Sequence, residues 1–153
     1  MFDFKISKWY RYISIWKNKT ALITGSTQGI GFEVAKGLAQ INATVIIHGR
    51  SIESVNRSVK QLSELLPEAN IKGITSDIST LESCDAIITA YPNLDIIVSN
   101  AAIFETADFF GISDETWQLY WDTNLLANVR LARHYLPRMK ENNWGRFVLI
   151  GSE

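Results

Sequence analysis

Between an apolar run ending at Ile23 and an amphipathic stretch beginning near Ile30 lie Thr24-Gly25-Ser26-Thr27-Gln28-Gly29-Ile30-Gly31. The glycine spacing suits a loop pressed between a strand and a helix. Gly25 permits a tight turn, Gly29 lets the backbone approach a pyrophosphate, and Gly31 lets the helix pack close to the sheet. Free amides at the helix start would then face the phosphates. This is the chemistry of a dinucleotide site, and Thr24, Gly25, Ser26, Gln28, Gly29, Ile30 and Gly31 are its candidate loop residues. About 20 positions on, where an acid would grip a ribose 2′-hydroxyl, stands His48-Gly49-Arg50-Ser51. No carboxylate occurs in that stretch, and the Arg50 guanidinium can pair with a 2′-phosphate through a charge-assisted fork. NADP(H) is therefore the expected cofactor, with NAD(H) as the alternative. His48 and His134 have no partners at metal-binding spacing, so both read as structural or surface residues and no metal site is expected.

The elements that must position these residues alternate strand and helix, which predicts a doubly wound parallel sheet of the Rossmann type. Thr20 to Thr24 reads as a buried strand and about Ile30 to Gln40 as a helix, with Ile30, Val34 and Leu38 as its apolar face. Thr44 to Ile47 is the second strand. Ile52, Val55, Val59, Leu62 and Leu66 then recur at helical spacing until Pro67. Ile71 to Thr75 is strand three, Ser79 to Tyr91 a helix with Ser79 as N-cap, and Leu94 to Val98 strand four. A long helix begins near Ser113, with Asp114 and Glu115 at its positive end, and runs to Pro137 or slightly beyond, before strand five at Arg146 to Ile150. The predicted organisation is a basic aromatic extension over 1–15 and one dinucleotide-binding domain over 16–153.

The 153 residues are 46% hydrophobic and 20% charged, as expected of a globular domain with a real core. A formal net charge of −1 supplies no basic field for nucleic acid. The single cysteine, Cys84, excludes an intramolecular disulfide and sits in an apolar helical run, where it reads as packing; the cytoplasm is the default compartment. Residues 1–16 interleave Phe2, Phe4, Trp9, Tyr10, Tyr12 and Trp16 with Lys5, Lys8 and Arg11. No run there is long enough for a transmembrane span. A loosely packed extension is expected rather than a helix lying on a membrane surface.

The arrangement Thr-Gly-x-x-x-Gly-x-Gly at Thr24 to Gly31 resembles the short-chain dehydrogenase/reductase family, and later motifs agree in order. Asp77, with Ile78 beside it, matches the position where that family contacts the adenine. Ser99-Asn100-Ala101-Ala102 is similar to the family's Asn-Asn-Ala-Gly turn, which lines the cofactor site through Asn100, Ala101 and Ala102. Asn124 matches the asparagine that holds a proton-relay water, and Gly145 to Ser152 looks like the strand leading to the catalytic serine, Ser152. The resemblance covers roughly 16 to 153. It implies reduction of a small-molecule carbonyl, or oxidation of an alcohol, with a tyrosine moving the proton, and a homo-oligomer at full length. Two departures carry consequences: Ala102 in place of glycine would distort a turn that needed positive φ, and Ser99 in place of asparagine would drop an amide hydrogen bond.

The family's Tyr-x-x-x-Lys pair belongs about a dozen residues past Ser152, and no tyrosine here has a lysine four residues later. The expectation is the front part of an enzyme of roughly 250 residues, still a normal size for one α/β domain, and inactive by itself. A prematurely stopped non-catalytic product and an NADP-binding module are the alternatives.

Overall fold

The structure, a computed structural model, describes residues 15–151. Its elements are β1 (Thr20–Ile23), α1 (Gly29–Gln40), β2 (Thr44–Gly49), α2 (Ile52–Leu65), β3 (Ile71–Thr75), α3 (Leu81–Ala90), β4 (Ile96–Ser99), α4 (Asp114–Trp121), α5 (Ala127–Glu141) and β5 (Arg146–Leu149). A 3₁₀ turn at Phe109–Gly111 precedes α4, and a π turn at Asp122–Leu126 joins α4 to α5. The five strands are parallel in the order β3-β2-β1-β4-β5. Successive strands thus leave β1 in opposite directions, which makes the gap between β1 and β4 a topological switch point and its carboxyl edge the place for a ligand.

Period-two alternation divides the strand residues between two cores. Ala21, Ile23, Val45, Ile47, Ile96 and Val98 face α1 and α2, where Phe32, Ala35, Ala39, Val55 and Leu62 cover them. Leu22, Ile46 and Ile97 face the other way, onto Cys84 and Ile87 of α3 and Leu131, Tyr135 and Met139 of α5. Because both faces are covered, Ala21 to Ile23, Val45 to Ile47 and Ile96 to Val98 are unbroken apolar runs.

Several expected boundaries shift for identifiable reasons. The core face of α1 is Gly31, Phe32, Ala35 and Ala39, with Val34 and Leu38 flanking it, and Ile30 is 64% exposed. Small residues at every fourth position bring this helix close to the sheet, and the larger ones lie beside the contact. The N-cap of α3 is Thr80, whose hydroxyl accepts the Ser83 N–H, instead of Ser79. Ser79 is drawn into a turn in which its N–H and hydroxyl both donate to Asp77 Oδ1. Ser113 does cap α4, accepting the Thr116 N–H, but the long helix is widened at the π turn and continues past Pro137 to Glu141.

Far from the ligand edge, Asp95, just before β4, holds the start of β1: Oδ1 pairs with Lys19 Nζ at 3.0 Å and Oδ2 accepts the Thr20 N–H. The Lys19 ammonium also lies 4.1 Å from the centroid of Trp144, which meets Trp16 edge to face. No helix among the described residues is long and apolar enough to cross a membrane.

Candidate functional site

The glycine loop emerges from β1 at the switch point. Gly25 has φ +62° and Gly29 φ +59°, conformations that an L side chain rarely adopts. Gly31 is required for space instead: a Cβ there would stand 2.6 Å from both Asn100 Nδ2 and the Gly25 carbonyl oxygen. The same crowding holds the loop to the turn after β4. Thr24 Oγ1 accepts the N–H groups of Asn100 and Ala101 at 3.0 and 2.9 Å, and Asn100 Nδ2 donates to the carbonyls of Thr24 and Gly25. At the head of α1, Gln28 is an N-cap without a side-chain cap, and no acid occurs in the first turn. The amides there are left for an anion.

Two clefts open on either side of this junction. One, of about 220 Å³, is bordered by Gly25, Gln28, His48, Arg50, Asp77, Ile78 and Ala102. The other, of about 550 Å³, is bordered by Ile30, Asn100, Ala101, Asn124, Asn128 and Gly151. Of the residues singled out in the sequence, the structure gathers Gly25, Gln28, Arg50, Asp77, Ile78, Ala101 and Ala102 around the first cleft, and Ile30, Asn100 and Asn124 around the second. Thr24 and Ser26 lie beneath the loop with no exposed surface. The Ser26 hydroxyl donates to the Ile23 carbonyl and accepts the His48 N–H, so its side chain shapes the loop from below instead of facing a ligand. Ser152 lies outside the described residues.

Arg50 is exposed at the cleft rim, and among the described residues it forms no salt bridge. Asp77 is exposed and spends one carboxylate oxygen on Ser79, while Ile78 is buried behind it.

Asn124 sits in the π turn, where Ala127 N–H reaches back five residues to the Asp122 carbonyl. Such wide turns are frequent at functional sites. Its side chain is held by the backbone of one residue, Oδ1 accepting the Ile103 N–H and Nδ2 donating to the Ile103 carbonyl, which leaves one N–H and one lone pair of the amide over. Its own carbonyl accepts the amide of Asn128 at 2.8 Å. The two expected departures at the β4 turn resolve simply. Ala102 is not among the positive-φ residues, so alanine fits without distorting the turn. The Ser99 hydroxyl donates to Asn128 Oδ1, replacing within the site the bond that the shorter side chain was expected to lose.

His48 is the residue whose role in the site the sequence concealed. The residue is 1% exposed and borders the first cleft; Nδ1 accepts the Gly25 N–H at 3.3 Å and Nε2 meets the Ser76 hydroxyl at 3.1 Å. Burial, opposed by Ser76 and the Asp77 carboxylate, holds its pKa down to about 4. The folded state therefore excludes a proton that the unfolded chain binds from about pH 6.5. Stability should fall as pH drops from about 6.5 to 4, by an amount on the order of 3 kcal/mol over the whole window. Urea melts at pH 7 and pH 5 test this: His48→Asn should flatten the difference, and an unchanged difference would sink the assignment.

Two of the described tyrosines, Tyr91 and Tyr135, are poorly suited to donate a proton at neutral pH. Tyr135 is buried, donates to the Tyr91 carbonyl, and has its pKa pushed up by desolvation; Tyr91 is also shifted up by burial. Cys84 is buried, its thiol likewise raised by burial.

Comparison with known proteins gives a consistent picture. A profile of the short chain dehydrogenase family matches residues 19–153. The uncharacterized oxidoreductases YvaG and YvrD of Bacillus subtilis are 43% and 39% identical over 137 and 140 residues, each match covering 90% of this chain and 52% of the relative. The chain thus spans about half the length of these curated relatives. Among solved structures, L-sorbose reductase from Gluconobacter frateurii, complexed with NADPH and L-sorbose, superposes with a TM-score of 0.79 at 29% identity, covering 87% of this chain and 52% of that one. A 3-oxoacyl (acyl-carrier-protein) reductase from Agrobacterium tumefaciens with NADP bound gives 0.84 at 30% identity, covering 98% and 58%.

Proposed function

The chain belongs to the short-chain dehydrogenase family, and from that premise we propose that it binds NADP(H) at the switch point and serves reduction of a small carbonyl compound or oxidation of the corresponding alcohol. The observation that carries the reading is the head of α1, where amides without a side-chain cap or first-turn acid lie beside a loop that only glycine can form. These residues fit a dinucleotide. The amides of Gly29, Ile30 and Gly31 would hold the pyrophosphate, Arg50 the 2′-phosphate, and Asp77 with Ile78 the adenine. Ala101 and Ala102 would line the path between the clefts. The bound cofactor supplies or accepts hydride.

In this reading the chain's own residues orient and polarise. Asn100 fixes the loop to the β4 turn, and Asn124, held at the π turn, orders a relay water. The hydroxyl of Ser152 would hydrogen-bond the substrate oxygen and stabilise charge developing there. None of them supplies the proton, and Tyr-x-x-x-Lys does not occur among the 153 residues. That absence favours a second reading for this polypeptide taken by itself, a nucleotide-binding module without turnover.

Titration with NADPH and NADH, followed by nucleotide fluorescence, tests the cofactor assignment. NADPH should bind more tightly, and Arg50→Glu should reverse the order by exchanging a charge-assisted pair for a repulsion, a change on the order of 10- to 100-fold in the ratio. Equal affinities in the wild type would reject the NADP(H) preference, and no binding of either would reject the cofactor site.

A further inference from the structure

We propose that His48 is a positioning residue of the nucleotide site, acting as the neutral acceptor that holds the Gly25 amide and so sets the glycine loop in its binding shape. The inference rests on the cofactor reading above and extends it to a residue outside the glycine motif.

The geometry is specific about which atom does what. The Gly25 N–H is a donor, so Nδ1, 3.3 Å away, must carry a lone pair. The hydrogen of the neutral ring is then on Nε2, where it is donated to the Ser76 hydroxyl at 3.1 Å. The Gly25 N–H thus selects the tautomer, and the Ser76 hydroxyl, just past β3, accepts the hydrogen that this tautomer of His48 carries. The backbone at His48 is fixed by the same loop: its N–H donates to Ser26 Oγ and its carbonyl accepts the Ser26 N–H. Neutrality is enforced by burial, which opposes protonation even with the Asp77 carboxylate nearby, and Arg50 borders the same cleft. A charged ring would present a hydrogen to Gly25 N–H and lose the contact.

The consequence for binding follows from accounting for amides. Gly25 is in the left-handed region and donates its N–H to the ring, so this amide is spent inside the protein. Phosphate is left to the amides at the head of α1, whose direction depends on how Gly25 is held. Arg50 discriminates between the two nucleotides; His48 acts on the segment of the site that both share.

Three substitutions separate this from a merely space-filling role. Asn places Oδ1 where Nδ1 stands, Gln places its oxygen one bond too far, and Leu keeps apolar volume without an acceptor. Titrated with NADPH and NADH, His48→Leu and His48→Gln should each lose about tenfold in affinity for both nucleotides, the cost of orphaning a buried amide, while His48→Asn stays within about threefold of wild type. The NADPH-to-NADH ratio should not move in any of them. Filling of space alone would favour Leu and Gln over the smaller Asn, and that ranking would overturn the proposal, as would a shifted ratio. A measurement on the unmutated chain keeps the test independent of variant folding: with ¹⁵N-histidine labelling, long-range ¹H–¹⁵N correlation at pH 7 should show His48 neutral with its hydrogen on Nε2. A hydrogen on Nδ1, or a charged ring, would refute it. Wild type that binds neither nucleotide overturns the cofactor reading and this inference together; wild-type binding with an indifferent His48→Leu overturns the inference alone.

Discussion

A polypeptide of these 153 residues, made by itself, is expected to bind NADPH, to bind a hydrophobic dye, and to show no carbonyl turnover. Two structural facts argue for the dye. Trp117, Trp121 and Leu125 are 46%, 55% and 42% exposed, and β5 presents Val148 and Leu149 at the edge of the sheet. An apolar edge strand and an adjoining aromatic helix face are surfaces that proteins ordinarily cover. Turnover should be absent because none of the tyrosines has a lysine four residues later to lower its pKa, and Tyr91 and Tyr135 are shifted further from neutral pH by burial. In a longer polypeptide that carries Tyr-x-x-x-Lys, activity should appear, and Ser152→Ala should then lower turnover on the order of 10²- to 10³-fold, the usual loss for one donor aimed at a developing oxyanion. Steady-state assays of carbonyl reduction with NADPH decide both halves. Turnover by the 153 residues alone, or indifference of the longer enzyme to Ser152→Ala, would overturn the assignment of roles.

Gly31→Ala is expected to lower nucleotide affinity on the order of 10²-fold, because the added methyl must displace a loop whose placement sets the site. The new Cβ would meet the Asn100 amide nitrogen and the Gly25 carbonyl oxygen, both at 2.6 Å, and Ser26 Cα at 2.9 Å. Two of these are backbone atoms, so relief requires moving the loop itself. Overpacking of this kind costs about 1–3 kcal/mol, or roughly 2–12 °C in melting temperature for a chain of this size. Gly37→Ala, on the same helix and with nothing within 4 Å of its Cβ, is the control. It should gain about 0.5–1 kcal/mol from helix propensity. A Gly31→Ala protein that binds NADPH like wild type would show that close packing of α1 on the β4 turn is not what shapes the site.

The strands and helices were readable because their signals are local. Apolar runs at β1, β2 and β4, and the helical spacing of Val55, Val59 and Leu62, each follow from a few neighbouring residues. The glycine loop was readable for the same reason, its requirements being written in consecutive positions. What escaped depended on partners distant in sequence. Ile30 looks like core until Gly31, Ala35 and Ala39 take the contact with the sheet. Ser79 looks like a cap until Asp77 captures it. His48 gave no hint of its part in the site, because its partners Gly25 and Ser76 stand 23 positions before it and 28 after. The bond from Ser99 to Asn128 spans 29 positions and appears only once β4 and α5 are side by side.

The π turn at Asp122–Leu126 also fixes an angular relation. An α-helix advances about 100° per residue, and a single wide turn absorbs one residue without passing that rotation on. Were the turn to relax into regular helix with its sequence unchanged, every later residue would swing by about that angle. Leu131, Tyr135 and Met139 would be carried off the sheet, and they form the buried side of α5. The packed core is thus the brace that keeps the backbone open at Asn124. Removing one residue from the turn would leave those side chains in phase and close the opening, so helix phase and site geometry can be separated by a one-residue deletion.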